Sequence, residues 1–379
     1  MSVLSSTLHE VVHSGNAWMI TRADNEVEQM NPESGTATEG RSIGHVRDKS
    51  APTDVRMQLF ICIIGTYGFA RYERMLHEVE GLNKGDTMML VSLENDGADS
   101  SQHMHLHSLV GVESAGYGRQ PILTLRVGAQ QDPGIRRRYR PNEDTLFVTQ
   151  GIMPSASTAP KPFVLLVVAD GMGGREHGRK ASRLATWSLV GHVSGSLCRE
   201  QRLPEDLLSL LTIGVQSANR VVYEYNQQQG TTMGTTMTAA LVIETTTYVA
   251  HVGDSRLYLY REPTGLAQIT RDHSVVAELV ARGLIAPDDI YTHPMRNQIY
   301  RCLGSEASVE VDASVVPLAE EDVLLLCSDG LWEMVRDQQI AAIMTTPNPS
   351  DTAHALIQAA MAGGGEDNVS AIVARVSNV

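Results

Sequence analysis

The chain of 379 residues holds four cysteines, Cys62, Cys198, Cys302 and Cys327, and no two are spaced as Cys-x-x-Cys. Neither a disulfide framework nor a zinc ribbon is supported by that pattern. Cys62 and Cys327 lie inside apolar runs, where buried free thiols are expected. Long hydrophobic runs are also missing. The nearest, Met57 to Phe69, is too short to span a bilayer and is broken by Gly65 and Gly68. The first residues lack the basic-then-apolar plan of a signal peptide, so a cytoplasmic location without a membrane is expected. Positive charge is in deficit: 30 Lys and Arg against 44 Asp and Glu leave a net charge of −14. That balance disfavours non-specific attraction to nucleic acid or anionic lipid.

What is present is the composition of a soluble globular protein, 42% hydrophobic and 20% charged. The length fits about two domains of roughly 150 residues each. Residues 1–122 read as an N-terminal region of unknown function, and 123–379 as one dense domain. Within the first part, residues 31–54 are polar and carry Gly, Ser and Pro, so a linker or mobile loop is expected. A buried strand over Met57 to Ile64, a short helix over Ala70 to Leu82 and a strand over Thr87 to Leu93 follow. His103, His105 and His107 alternate with Met104 and Leu106, so on a strand they share one face. Such a face suits a zinc or copper site, or simply the solvent side of an edge strand.

The most informative feature lies further on. Asp170 closes the apolar run Phe163 to Ala169 and opens Asp170-Gly171-Met172-Gly173-Gly174. Asp329 closes Val323 to Ser328, and Asp367 precedes the run Val369 to Val376. A strand that ends in a carboxylate beside Gly fixes a charge at the rim of a core. Several such rims brought together suit hard cations, which prefer oxygen ligands. Around them Thr235 to Glu244, Thr247 to Gly253 and Arg256 to Arg261 read as consecutive antiparallel strands. Helices are predicted over Gly178 to Ser196, over Glu205 to Gln228 with Pro204 in the first turn, and over Ser350 to Met361 with Ser350 as N-cap.

Read in order, the motifs bring a family into view. Arg140-Pro141-Asn142-Glu143-Asp144 and Asp170-Gly171-Met172-Gly173-Gly174 come first. Gly234-Thr235-Thr236-Met237-Thr238-Ala239-Ala240 and His251-Val252-Gly253-Asp254-Ser255-Arg256 follow. Thr270-Arg271-Asp272-His273-Ser274, Ser328-Asp329-Gly330-Leu331-Trp332 and Glu366-Asp367-Asn368 complete the series. It resembles the metal-dependent Ser/Thr protein phosphatases of the 2C type (the PPM family), in their bacterial form, over about two-thirds of the chain.

The resemblance implies an α/β (α+β) fold, a central sandwich of two antiparallel β-sheets flanked by helices. It implies hydrolysis of phosphoserine and phosphothreonine on proteins by a water held between two Mn²⁺ or Mg²⁺ ions, opposing bacterial-type Ser/Thr kinases. By the same resemblance Asp170 bridges both metals, Gly171 offers its carbonyl to one, and Asp329 and Asp367 hold the other. Glu143 and Asp144 act through metal-bound waters, and Asp254 joins Asp329 at a third, weaker metal. Phosphoproteins, among them the kinase itself, are the implied partners, and a monomer is expected.

Two departures from the family pattern stand out. The basic stretch before Asn142 is two residues longer than the common spacing, and Tyr139 falls where the family places its phosphate-binding Arg. Arg138 is the favoured replacement, with Arg140 as the alternative, because an Arg fork suits phosphate wherever its stem delivers it. The general acid also departs: Arg175 follows Gly174, and the nearest histidine is His177. It stands as candidate acid or as an exposed residue at a helix start. The segment Ser274 to Cys302 looks like the family's flap, which makes His293 and Arg296 candidates for substrate contact or for packing. Asp272 and His273 read as a structural turn.

Overall fold

The computed structural model describes residues 11–14, 17–21, 27–29, 60–64, 88–92, 102–106, 123–153, 161–174, 176–197 and 207–378. The chain divides into two compact units, 1–53 and 54–379. In the first, β1 (Val11–Ser14), β2 (Ala17–Thr21) and β3 (Val27–Gln29) form an antiparallel sheet.

The second unit begins with β4 (Phe60–Ile64), β5 (Met88–Ser92) and β6 (Gln102–Leu106). The long strands β7 (Leu123–Asp132), β8 (Asp144–Met153) and β9 (Lys161–Met172) follow, then helices α1 (Glu176–Leu197) and α2 (Leu207–Gln229). Next come β10 (Gly234–Thr235), β11 (Met237–Ile243), β12 (Thr246–Val252), β13 (Arg256–Arg261) and β14 (Gly265–Gln268). Helix α3 (Val275–Ala281) leads to β15 (Asp312–Pro317) and β16 (Val323–Cys327). Helices α4 (Asp329–Trp332), α5 (Asp337–Met344) and α6 (Pro349–Ala362) precede the last strand, β17 (Val369–Asn378).

Two sheets result. The first runs β15-β12-β11-β9-β8-β5-β4, with β10 pairing the end of β9, and the second runs β14-β13-β16-β17-β7-β6. Pairing is antiparallel except for β4 and β5, which are parallel. The apolar runs explain the layering. In β9, Val164, Leu166 and Val168 face the other sheet, while Phe163, Leu165 and Val167 face α1 and α2. In β16, Leu324 and Leu326 face inward, while Val323, Leu325 and Cys327 meet α5 and α6. A strand buried on both sides has no polar alternation to show, which is why these segments read as unbroken hydrophobic runs. The sandwich of two sheets flanked by helices is the expected fold.

Particular elements differ from their sequence reading. Arg256 to Arg261 follows β12 in the chain but belongs to the other sheet, where it pairs with β16. The crossover is Gly253-Asp254-Ser255, with Gly253 at φ +113°. Helix α6 starts one residue earlier than expected, because Asn348 caps it by accepting from the Ser350 N–H and Pro349 fills the first turn. The expected strands before the domain are present as β4 and β5. The helix over 70–82, the stretch 31–54, Pro204 and His107 lie outside the described residues. His103 and His105 sit on β6, opposite Gln130 and Gly128. Among the described residues no helix is long and apolar enough to cross a membrane.

Leu326 is fully buried between the sheets. Leu326→Ala is expected to lower stability by about 2–5 kcal/mol through lost burial and the cavity left behind. Urea denaturation checks this as a lower midpoint at unchanged slope.

Candidate active site

The aspartates singled out in the sequence come from different elements and meet at one end of the sandwich. Ladder register does the first part, because Asp144 at the start of β8 lies directly opposite Asp170 near the end of β9. Gly171 pairs with Thr235 of β10, and Gly171 N–H donates to the Glu143 carbonyl at 3.1 Å. Only glycine fits there: a Cβ on Gly171 would strike the backbone of Gly178 and the Glu143 carbonyl. Asp254 comes from the crossover, Asp329 from the turn at the end of β16, and Asp367 from the turn before β17. Asp170, Asp254, Asp329 and Asp367, together with Arg137, Arg140, Glu143, Gly171, Thr236, Asn297 and Ile299, line a cleft of about 530 Å³, and Asp144 lies buried behind it, opposite Asp170.

Neutral side chains hold the Asp144 carboxylate and the backbone of Glu143 and Asp170. Asp144 Oδ2 accepts from Ser328 Oγ at 2.8 Å and Ser370 Oγ at 2.7 Å, and its N–H is capped by Asn142 Oδ1 at 3.0 Å. Glu143 N–H donates to Asn368 Oδ1 at 2.8 Å, and Asn368 Nδ2 reaches back to the Pro133 carbonyl. Asp170 N–H donates to Thr236 Oγ1 at 2.9 Å, while Thr235 Oγ1 donates to the Asp170 carbonyl at 2.8 Å. These Ser, Thr and Asn contacts are what sequence reasoning missed. The signal was there, as the Thr pair of Gly-Thr-Thr, the Ser before Asp329 and the Asn after Asp367.

A second network braces the crossover. Arg256 is buried and forms a fork on Asp272, with Nε to Oδ1 at 3.0 Å and Nη2 to Oδ2 at 2.7 Å. Its guanidinium lies 3.6 Å from the Trp332 ring centroid. Trp332 Nε1 in turn donates to the Asp254 carbonyl at 2.9 Å. His273 Nδ1 accepts from Gly253 N–H at 2.9 Å, so Asp272 and His273 both act on the turn that carries Asp254.

The electrostatics follow from crowding. Burial and then the neighbouring charges of Asp144, Asp329, Asp367 and Asp254 push Asp170 well above the usual carboxylate range. Burial and then Asp329 do the same to Asp254. Asp144 is raised to about 6, chiefly by burial, and Asp329 to about 7 by burial and Glu333. Asp367 reaches about 7 through burial and Asp329. The Asp170 carboxyl is placed to hydrogen-bond both Asp144 and Asp329 once protonated; otherwise the buried Oδ1 atoms of those two have no partner. Arg137 supplies the nearby positive charge, ion-paired to Asp367 and 3.5 Å from Glu143.

Among the described residues no three acidic or imidazole groups are already closed around one point at ligand distance. The reason is visible in the contacts: Asp367 is turned to Arg137, and Asp144 to two hydroxyls. The donor set is nonetheless all oxygen, negatively charged and partly orphaned. It fits hard divalent cations such as Mg²⁺ or Mn²⁺.

Of the other expected residues, Arg138 does not line the cleft. The turn over 135–139, closed by Arg140 N–H to the Arg137 carbonyl at 2.7 Å, points Arg137 at the acids and leaves Arg138 exposed. Arg140 lines the mouth. His177 is exposed in the first turn of α1 and is not among the cleft-lining residues, which include no histidine. His293 Nδ1 accepts from Met295 N–H within its own turn. Arg296 bridges Glu333 and Glu366 from the flap side, and Asn297 and Ile299 carry that flap to the cleft wall.

Comparison with known proteins agrees with this geometry. The family model for protein phosphatase 2C matches residues 136–360. The serine/threonine phosphatase stp of Listeria monocytogenes is 38% identical over 214 residues, 55% of this chain and 83% of that protein. PstP of Mycobacterium tuberculosis is 35% identical over 256 residues, 67% of this chain and 45% of that protein. The crystal structure of the PstP catalytic domain with two manganese ions superposes at a TM-score of 0.56 and 33% identity, covering 67% of this chain and 99% of that one. Stp1 of Staphylococcus aureus gives 0.58 and 33%, covering 68% and 98%. The chain belongs to the protein phosphatase 2C family, the metal-dependent PPM enzymes, and is a protein serine/threonine phosphatase.

The raised carboxyls have a thermodynamic consequence. In metal-free protein Asp144, Asp329 and Asp367 hold protons more tightly folded than unfolded. The stability they contribute is therefore present below about pH 4 and lost as pH rises through 6 to 7. A divalent cation held by the same oxygens would take over the role of those protons, and would bind best where they are absent. Mn²⁺ is expected to raise Tm more at pH 8 than at pH 5, and Asp329→Asn to raise the Tm of metal-free protein while shrinking the Mn²⁺ effect. Thermal melts with chelator and with Mn²⁺ at the two pH values check both.

Proposed function

We propose that the phosphatase activity runs through two Mn²⁺ or Mg²⁺ ions held in this cleft, with a third, weaker ion at its edge. The supporting observation is the gathering of Glu143, Asp170, Asp254, Asp329 and Asp367 around one cleft, with Asp144 buried opposite Asp170 and two buried carboxylate oxygens, on Asp144 and Asp329, left without a partner. Asp170 and the Gly171 carbonyl would hold one ion. Asp170, Asp329 and Asp367 would hold the second, and Asp254 with Asp329 the third. Such ions supply a water nucleophile at neutral pH and neutralise phosphate charge. Glu143 and Asp144, fixed by Asn368, Ser328 and Ser370, orient the water molecules between protein and phosphate.

Arg137 is the guanidinium best placed for the phosphate, since it already reaches Glu143 and Asp367 at the cleft floor. A planar fork binds two phosphate oxygens at once. Arg140 adds positive charge at the mouth. With no histidine lining the cleft, the departing serine or threonine oxygen takes its proton from water in the open site. Substrates are phosphoserine and phosphothreonine proteins, a Ser/Thr kinase among them. The acidic chain gives no electrostatic purchase on nucleic acid or membrane, and it acts as a monomer in the cytoplasm.

Release of phosphate from a phosphothreonine peptide is expected with Mn²⁺ or Mg²⁺ and not with chelator. Asp329→Asn is expected to lower kcat by on the order of a hundredfold or more, in line with removing a group aimed at transition-state charge. Arg137→Ala is expected to weaken kcat/KM by roughly ten- to a hundredfold, the value of a lost charge-assisted hydrogen bond. No release from folded protein that binds Mn²⁺ would sink the two-ion reading.

A further inference from the structure

We infer that the turn at the cleft mouth reads the residues flanking the phosphorylated one, with Arg138 and Tyr139 as a docking surface for an anionic flanking group. The inference rests on the phosphatase reading and names the class of peptide it prefers. Carboxylate and second phosphate share the required chemistry, since both match the two parallel donors of a guanidinium.

The turn is anchored at both ends. Gly134, at φ +80°, donates its N–H to Asp132 Oδ1 and packs so tightly on Asp367 that a Cβ would strike the Asp367 carbonyl. Arg136 N–H donates to the Gly365 carbonyl, and Glu143 N–H to Asn368 Oδ1. Within the turn the basic side chains divide. Arg136 is paired to Glu366 at 2.9 Å and Arg137 to Asp367 and Glu143. Arg138 and Arg140 have no ionic partner among the described residues. Between them Tyr139 is 95% exposed, the most exposed large apolar side chain among the described residues. A rigidly held loop tip that offers two unpaired guanidinium groups and an uncovered aromatic ring has the makings of a peptide-recognition surface.

The surrounding charge sharpens the argument. The chain carries −14 overall, and the cleft itself is acidic. An anionic peptide approaching this acidic cleft meets unpaired positive charge at this turn. Arg140 lines the cleft, whereas Arg138 is exposed and outside its lining, so Arg138 meets a residue beside the phosphorylated one and leaves the phosphate to Arg137 and Arg140.

The test uses the full chain with Mn²⁺ and three phosphothreonine peptides that differ only at the flanks: glutamine, glutamate, or a second phosphothreonine. Wild type is expected to show a KM about three- to fivefold lower for the anionic flanks at similar kcat, the ratio of a favourable exposed ion pair. The difference should disappear in Arg138→Glu, persist in part in Arg138→Lys, and fade in about 1 M salt. A gain with glutamate alone assigns the anion as carboxylate, and a gain with phosphate alone assigns it as phosphate. Equal kcat/KM for the three peptides, or a preference that survives Arg138→Glu, overturns the inference and leaves the phosphatase reading standing. Should no peptide be hydrolysed, the phosphatase reading is what fails. Fluorescence anisotropy of the same labelled peptides then decides docking, with equal affinities in wild type and Arg138→Glu counting against it.

Discussion

Everything in this domain turns on keeping carboxylates together that repel one another. Five acidic side chains line one cleft with Asp144 buried behind them, and burial makes each charge more expensive than it would be in water. A flexible loop would relieve that repulsion by moving apart. Here Asp144 and Asp170 are tied across a ladder whose strands are buried on both faces, and Asp329 follows a strand with no exposed residue. Spreading the acids means breaking the sandwich core, so the repulsion is retained as raised proton affinity. In the proposed reading a divalent cation would relieve it, which would make metal affinity a product of the core packing as much as of the ligands.

The same constraint explains the hydroxyl and amide side chains around the rim. Ser328, Ser370, Thr235, Thr236 and Asn368 bring hydrogen bonds without further charge. They hold the acids at the right height while leaving oxygen lone pairs open. Arg256 solves a different problem. Asp254 sits on a crossover between sheets, where no ladder restrains it. The buried Arg256–Asp272 pair, the Trp332 ring and the Asp254 carbonyl form a chain of contacts that substitutes for a ladder. Removing one partner of such a buried pair leaves an uncompensated charge, so the brace is effectively all or none.

How much of this was legible in the sequence depends on what each residue's neighbours are. Strands β9, β16 and β17 were legible because burial on both faces leaves unbroken apolar runs. Glu143, Asp144 and Asp254 were reached only through the resemblance of the motif series, whereas Asp170, Asp329 and Asp367 were legible because each borders such a run. The sheet change at Gly253 was not, since β12 and β13 look alike as isolated strands and only their distant partners, β15 and β16, separate them. The choice among the basic residues was not either. Spacing pointed to Tyr139, with Arg138 favoured in its place, but a turn closed between Arg137 and Arg140 rotates Arg137 inward. Local hydrogen bonding decides that rotation, and periodicity carries no trace of it. His177 illustrates the converse, a residue whose type suggested chemistry and whose place in the first turn of α1 leaves it in solvent.

Charge placement sets what such an enzyme can accept. A phosphorylated peptide is an anion approaching an acidic cleft on an acidic protein, and unshielded approach is unfavourable at the range of a Debye length. Two things change the sign: cations within the cleft, and the arginines at its mouth. The cations act on the phosphate itself at close range. The arginines act earlier and further out, and because the turn that bears them is pinned to Gly365 and Asn368, their geometry is coupled to the same segment that presents Asp367. In the proposed reading, substrate capture and metal binding would thus be built on one piece of backbone, so that a change in the 363–368 turn would alter both at once.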